Sequence, residues 1–280
     1  MTVGIVGLGL IGGSFAKAYR AGGHRVLGYD TDRTVLDFAQ LSGACSGELT
    51  DERLSECDLI LLAVCPQAAI DYLTAHAHQI GPHPVVIDCC GVKRQVCAAC
   101  FPLAKAHGFT YLGGHPMAGT HNSGFKYASA TLFQGAPMVI VPADFNDILL
   151  LSRVKELLHP AGFRQISVTT AENHDRVIAF TSQLAHVAAN AYIKSPSAGS
   201  HKGFSAGSYK DMTRVAWLNP EMWAELFLDN RDFLGQELSL YIQFLQQYQA
   251  ALERQDKAEL IRLWMRAAAG RRRWTAIDPH

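Results

Sequence analysis

Short apolar runs separated by amphipathic stretches fill the first 170 positions, and only amphipathic stretches occupy the remainder. Thr2-Val3-Gly4-Ile5-Val6, Arg25-Val26-Leu27-Gly28-Tyr29, Asp58-Leu59-Ile60-Leu61-Leu62-Ala63-Val64 and Pro84-Val85-Val86-Ile87-Asp88 read as buried strands. Further strands are expected at 109–112, 136–142 and 163–169. Helical patterns lie between them: one opening on the glycines after Val6, one at 32–41 leading to a loop at 43–50, and one that Pro66 is placed to start, carrying Ile70, Tyr72 and Leu73. Others come after Lys93 and span about 147–159. Strand then helix, repeated with short connections, predicts a parallel sheet covered on both faces.

From Ala171 onward no alternating strand appears, only helical stretches at 172–194, 208–217, 220–249 and 253–268. The third carries Met222, Leu226, Leu228, Phe233, Leu238, Tyr241, Leu245 and Tyr248, too much apolar surface for one exposed helix. The pattern predicts an α/β fold in two parts: a Rossmann-type parallel sheet domain at 1–168, then an all-helical domain at 169–280. Part of the helical surface is expected to meet a second copy, giving a homodimer.

Composition narrows the class. The 280 residues are 49% hydrophobic and 18% charged, enough core material for a globular chain. Lys and Arg number 25, as do Asp and Glu, so charge supplies no reason to expect a nucleic-acid partner. Arg271-Arg272-Arg273 is a short basic run without a supporting basic face. No apolar run reaches membrane-spanning length. A first strand at residue 2 leaves no room for a signal peptide, and seven cysteines, several in apolar runs, suit buried thiols in a reducing cytoplasm.

The first strand breaks into Gly-x-Gly-x-x-Gly and runs straight into a helix. Gly7 allows the tight turn, Gly9 leaves room for a pyrophosphate, and Gly12 lets helix and strand pack closely. The N–H groups of Gly7, Leu8, Gly9, Leu10, Ile11 and Gly12 and the positive helix end then face the phosphates. Asp30, ending the second strand, is placed to hold the ribose 2′-hydroxyl of NAD. Arg33 nearby leaves NADP possible. Val64, ending the next long apolar strand, is assigned to the same cofactor edge.

Asp88–Lys93 lies at the carboxyl end of a strand, where open sheets bind ligands. Gly91 and Lys93 are therefore cofactor candidates, the alternative being a glycine turn with a solvated lysine. Gly114-His115-Pro116 holds an imidazole between two backbone-restricting residues after a strand. His115 is suited to taking a hydroxyl proton as hydride leaves the carbon. Ser182 and His186 share a helical face, with His174 some three turns away. His186 reads equally as a core histidine or a binding group. Lys210 and Arg214 share a face where two cations would meet an acidic substrate, unless they join a surface network through Asp211. Cys97-x-x-Cys100 with Cys89, Cys90 and His107 has enough ligands for zinc, yet lacks a knuckle-like glycine turn, so no metal is expected.

The segments VGIVGLGLIGGSFA, DCCGVK, GGHPMAGT, HDRVIAFTSQLAH, SYKDMTRVA and NPEMWAELF, in that order, resemble the prephenate/arogenate dehydrogenase family of tyrosine biosynthesis. The resemblance implies an NAD(P) domain, a helical dimerisation domain and a site in the cleft between them. It implies oxidative decarboxylation of prephenate to 4-hydroxyphenylpyruvate, or of arogenate to tyrosine. On that resemblance His115 bonds the ring 4-hydroxyl and helps remove its proton, and Arg214 receives a carboxylate. His186, Ser182, Thr120, His174 and Lys210 line the substrate site or stabilise its closed form. Four positions depart from the pattern: Gly91 where serine is usual, Gln183 and Ala185 where histidine and proline are common, and His121 where an acid is common. A β-hydroxyacid dehydrogenase or imine reductase would share the nucleotide domain but use a lysine or aspartate of the second domain for proton transfer. A non-catalytic NAD-sensing protein would keep the fold alone.

Overall fold

The computed structural model describes residues 1–120 and 122–277, with side chains described to residue 268. Eight strands form one sheet: β1 (Thr2–Val6), β2 (Arg25–Tyr29), β3 (Gly47–Glu48), β4 (Leu59–Leu62), β5 (Val85–Asp88), β6 (Thr110–Pro116), β7 (Pro137–Val141) and β8 (Gln165–Val168). Their order is β3-β2-β1-β4-β5-β6-β7-β8. Every pairing is parallel except β6 with β7. The chain therefore departs from the expected all-parallel sheet at one seam.

Helices α1 (Leu10–Ala21), α2 (Arg33–Leu41), α3 (Pro66–Ile80), α4 (Arg94–His107) and α5 (Ile148–Leu158) cover it. The central strands β4 and β5 are buried on both faces, and their side chains alternate between two cores. Leu59 and Leu61 of β4 join Val3, Ile5, Phe15, Phe133 and Leu158 on one side. Ile60 and Leu62 join Leu73, Ile80 and Val96 on the other. Asp32 caps α2 by accepting from the Thr34 N–H at 2.9 Å, and Pro66 opens α3 as its missing N–H allows.

Three elements differ from the pattern. β6 runs four residues past 112, because Gly113 and Gly114 carry no apolar side chain to announce a strand. The stretch 172–194 is α6 (Ala171–Ile178), a wide π-helical turn (Ala179–Leu184) and α7 (Ala185–Ile193). The stretch 220–249 breaks at the buried Asn230 into α9 (Pro220–Asp229) and α10 (Arg231–Glu253), after α8 (Gly207–Thr213). α11 (Lys257–Ile277) ends the described chain. Two compact units result, Met1–Asn230 and Arg231–His280. No helix among the described residues is long and apolar enough to cross a membrane.

Candidate active site

The turn between β1 and α1 has the backbone geometry that the glycine spacing predicts. Gly7 has φ +84°, and a Cβ there would stand 2.5 Å from Val64 Cγ1. A Cβ at Gly12 would stand 1.8 Å from the Gly7 carbonyl oxygen, so only glycine lets α1 pack this closely. A Cβ at Gly9 would project into open space. That space lies at the N-cap of α1, which has no side-chain cap of its own. The cradle thus fits a pyrophosphate: an open approach to backbone N–H donors at a positive helix end.

Asp30 comes directly after β2 and accepts from the Leu8 N–H at 2.7 Å and the Asp32 N–H at 2.9 Å. Its carboxylate is thereby tied to the glycine turn, beside the phosphate cradle. Arg33 pairs with Asp37 at 2.8 Å and with Glu48 at 2.7 Å. Its charge is therefore already compensated, which weakens its claim on a 2′-phosphate. Val64 lies beside the same turn, since a Cβ built at Gly7 would meet it.

At the carboxyl end of β5, Asp88 is fully buried. It accepts from Lys93 Nζ, from the Tyr111 hydroxyl at 2.6 Å, from the Cys90 N–H at 2.9 Å and from the Gly114 N–H at 3.3 Å. Lys93 is fully buried as well, so the solvated lysine considered above is not found. Burial alone would lower the Lys93 ammonium, but Asp88 together with the Cys90 and Cys97 sulfurs outweighs it and raises it to about 12. Its ammonium faces inward, onto Asp88, and is not presented for a cofactor contact.

The same cluster explains the paired glycines. A Cβ at Gly114 would stand 2.3 Å from the Asp88 carbonyl oxygen, and one at Gly113 2.6 Å from Cys97 Sγ. Their absence lets β6 close against β5 and α4. His115 consequently sits within a strand, in register with Val139 of β7, and not on a loop.

His115 Nδ1 lies 2.9 Å from His174 Nε2, and His174 Nδ1 lies 2.7 Å from Asp175 Oδ1. Burial, then the neighbouring His174 and Lys93, push the His115 imidazole well below its usual range. Burial also lowers His174, against the opposing pull of Asp175. Burial would raise the Asp175 carboxyl, but bonds from His174 and from the Arg94 and Lys93 N–H groups outweigh it and hold it low.

A second group lies on α7–α9. His186 Nδ1 donates to the Val215 carbonyl at 2.8 Å, and its ring packs on Trp223 with centroids 4.0 Å apart. Burial and the adjacent Arg214 lower its imidazole, the Val215 bond opposing them. Arg214 and Lys210 are exposed one helical turn apart, the Arg214 N–H donating to the Lys210 carbonyl at 3.0 Å. Among the described residues no ion pair joins Asp211 to either, so the surface network considered above is not formed.

A family model described as prephenate dehydrogenase, nucleotide-binding domain, matches residues 15–167, and one described as prephenate dehydrogenase, dimerization domain, matches 170–266. The chain belongs to the prephenate dehydrogenase family. It is 31% identical over 264 residues to a cyclohexadienyl dehydrogenase of Zymomonas mobilis, covering 91% of this chain and 89% of that one. It is similar to the crystal structure of Synechocystis arogenate dehydrogenase, with TM-score 0.79, 27% identity, and coverage of 98% of this chain and 100% of that one. It is also similar to prephenate dehydrogenase from A. aeolicus in complex with hydroxyphenyl propionate and NAD+, with TM-score 0.81, 25% identity, and 98% of each chain covered.

The remaining family-implied positions are dispersed around these two groups. Ser182 is partly buried in the π-helical turn, and Thr120 is exposed after β6, bonded to Asn122. His121 lies outside the described residues. Gly91 faces Leu226, whose Cδ1 would be 3.2 Å from a Cβ there. Gln183 is buried, donating to the Leu226 carbonyl at 3.0 Å and accepting from Asn230 at 2.7 Å. Asp88, Asp175 and Asn230 are site residues that sequence reasoning does not single out. Asp175 carries the one available signal, its place directly after His174. Among the described residues no three His, Cys, Asp or Glu side chains are arranged to hold a metal, and all seven cysteines are free thiols.

Proposed function

We propose that this family member oxidatively decarboxylates prephenate to 4-hydroxyphenylpyruvate in tyrosine biosynthesis, with NAD as its cofactor. The observation that carries the reading is His115: an imidazole held in a strand, bonded to His174 and kept neutral by burial. A neutral imidazole is the form that accepts a proton.

Gly7, Leu8, Gly9, Leu10, Ile11 and Gly12 would hold the pyrophosphate and Asp30 the ribose, with Val64 and Gly91 along the same edge. When bound, NAD supplies the acceptor for the hydride that leaves ring C4. His115 takes the 4-hydroxyl proton as the carbonyl forms. The bond from the ring to its carboxylate then breaks, and its electrons restore aromaticity as carbon dioxide departs. Arg214, an exposed cation beside His186, binds a substrate carboxylate, and Lys210, His186, Ser182, Thr120 and His174 complete the substrate surroundings. The protein's contribution is orientation and a fixed proton acceptor. The acids around Arg33 favour NAD over NADP, whose extra phosphate they would repel.

The division at 168/169 into nucleotide and dimerisation domains belongs to this reading, supported by the two family segments. So does a homodimer. Within the second unit Leu240, Phe244, Leu245, Leu252 and Trp264 are exposed, apolar surface that a partner copy would cover. Arogenate is the second substrate to test, because similar proteins carry both names. It differs in an amino group where prephenate has a keto group. The test is NADH or NADPH absorbance with each substrate and each nucleotide. Turnover of prephenate with NAD supports the reading. Turnover of arogenate alone replaces the substrate, and silence in all four mixtures refutes both.

A further inference from the structure

We propose that Asp175 is a positioning residue that, through His174, fixes the proton of His115 on Nδ1 and leaves Nε2 bare to receive the substrate proton. The inference deepens the reading of His115 as the base and rests on it.

Asp175 is fully buried and anchored at the start of α4. Its Oδ1 accepts from the Lys93 N–H at 2.7 Å, and its Oδ2 from the Arg94 N–H at 2.9 Å and Arg94 Nε at 3.3 Å. An ionised carboxylate only accepts, so His174 Nδ1, 2.7 Å away, must carry the hydrogen. A neutral imidazole has one N–H, which leaves His174 Nε2 as an acceptor. Its partner at 2.9 Å is His115 Nδ1, which must therefore donate. His115 is left with a lone pair on Nε2. The reverse tautomer would need another proton in the cluster, on His174 or on Asp175, or would set two bare nitrogens against each other. Burial disfavours the first, and the second forfeits a buried hydrogen bond.

The charged groups around the chain of bonds are compatible with this order. Lys93, held by Asp88, opposes protonation of both imidazoles, and Arg94 reinforces the ionised Asp175. When His115 takes a proton on Nε2, its Nδ1–H still donates to His174. The new positive charge then lies one imidazole away from the Asp175 carboxylate. No atom has to move for the base to be ready, and none has to move for its conjugate acid to be stabilised. The same logic, carboxylate to imidazole to reacting group, orients histidine bases on other folds. Here a second imidazole is interposed.

The test reads the tautomer directly. The full chain, labelled with ¹⁵N-histidine and without substrate, is measured by ¹⁵N NMR at neutral pH. His115 is assigned by loss of its signals in His115→Asn. The expected result is a protonated Nδ1 and a bare Nε2 on His115. In His174→Phe, which removes the acceptor, His115 shifts toward protonated Nε2. In that variant kcat falls about 10²–10⁴-fold, the range for a misplaced catalytic proton. His174→Gln, whose amide oxygen can accept the same bond, retains the Nδ1 proton and recovers part of kcat. Unchanged His186 signals report that the variants are folded. Protonated Nε2 on wild-type His115 overturns the proposal, even if every variant unfolds. So does an unaltered tautomer or an unaltered kcat in His174→Phe. A protein with the expected tautomer that oxidises neither prephenate nor arogenate would keep this inference and lose the substrate assignment.

Discussion

Replacing Lys93 by methionine removes the cation from a pair that water does not reach. Lys93 and Asp88 are both fully buried, and methionine fills much of the lysine stem's volume, so packing loss is small. The cost comes from Asp88, left as an uncompensated buried carboxylate. Breaking such a pair typically costs about 3–5 kcal/mol. Asp88 keeps three other donors, Tyr111 Oη and the Cys90 and Gly114 N–H groups, which place the expected loss at the lower end, about 3 kcal/mol. Against a typical total of about 5–15 kcal/mol, the variant should fold but unfold at clearly lower urea. The companion measurement is Asp88→Asn with Lys93→Met, in which both charges leave together. Its cost should be smaller than the sum of the two single changes by at least about 1 kcal/mol. Urea denaturation of the four proteins checks this. A Lys93→Met loss below about 1 kcal/mol, or simple additivity, would refute the claim that this ion pair supports the floor of the site.

Two glycines of one turn should fail differently. Gly9→Ala, whose Cβ meets nothing, should leave the melting temperature nearly unchanged and weaken NAD binding in calorimetry, while Gly12→Ala, facing the Gly7 carbonyl, should destabilise the fold itself. His115→Asn should cut kcat by about 10²–10⁴ with NAD affinity preserved. In the unaltered enzyme, the lowered imidazole means that kcat falls only once pH drops well below the usual imidazole value of 6.5; a kcat–pH profile turning over at or above that value would contradict a buried neutral base. Arg214→Ala should raise KM at least about tenfold in steady-state assays, since a charged hydrogen bond is worth about 1.5–3 kcal/mol, and an unchanged KM and kcat/KM would remove it from the site.

Legibility in the sequence is confined to whatever a local pattern announces. Gly7, Gly9 and Gly12 each have the backbone geometry their spacing implies, because a turn and a helix start are settled within a dozen residues. The strand ending before Asp30 is equally local. His115 stands out in the sequence, but as a loop residue. β6 continues through it only because β7 pairs antiparallel there, a long-range event that Gly113 and Gly114 permit without signalling. Lys93 reads as a cofactor candidate or a solvated lysine, because nothing near it in sequence shows that Asp88, five residues earlier, turns inward. The helix counted at 3.6 residues per turn through 172–194 contains a π-helical turn, which rotates every downstream position by about 100° for each added residue. His174 and His186 are therefore out of the phase that simple counting gives. Asp175 is hidden in the sequence because its partners are backbone N–H groups 81 and 82 residues away.

The contact between Gly91 and Leu226 ties together positions far apart in sequence. A side chain at 91 would press on Leu226, and the Leu226 carbonyl is held by Gln183. Positions 91, 183 and 226 therefore form one mechanically linked set. A serine introduced at 91 requires the Leu226 side chain to give by a few tenths of an ångström, so the fit of residue 91 is set by a helix residue 135 positions further along the chain.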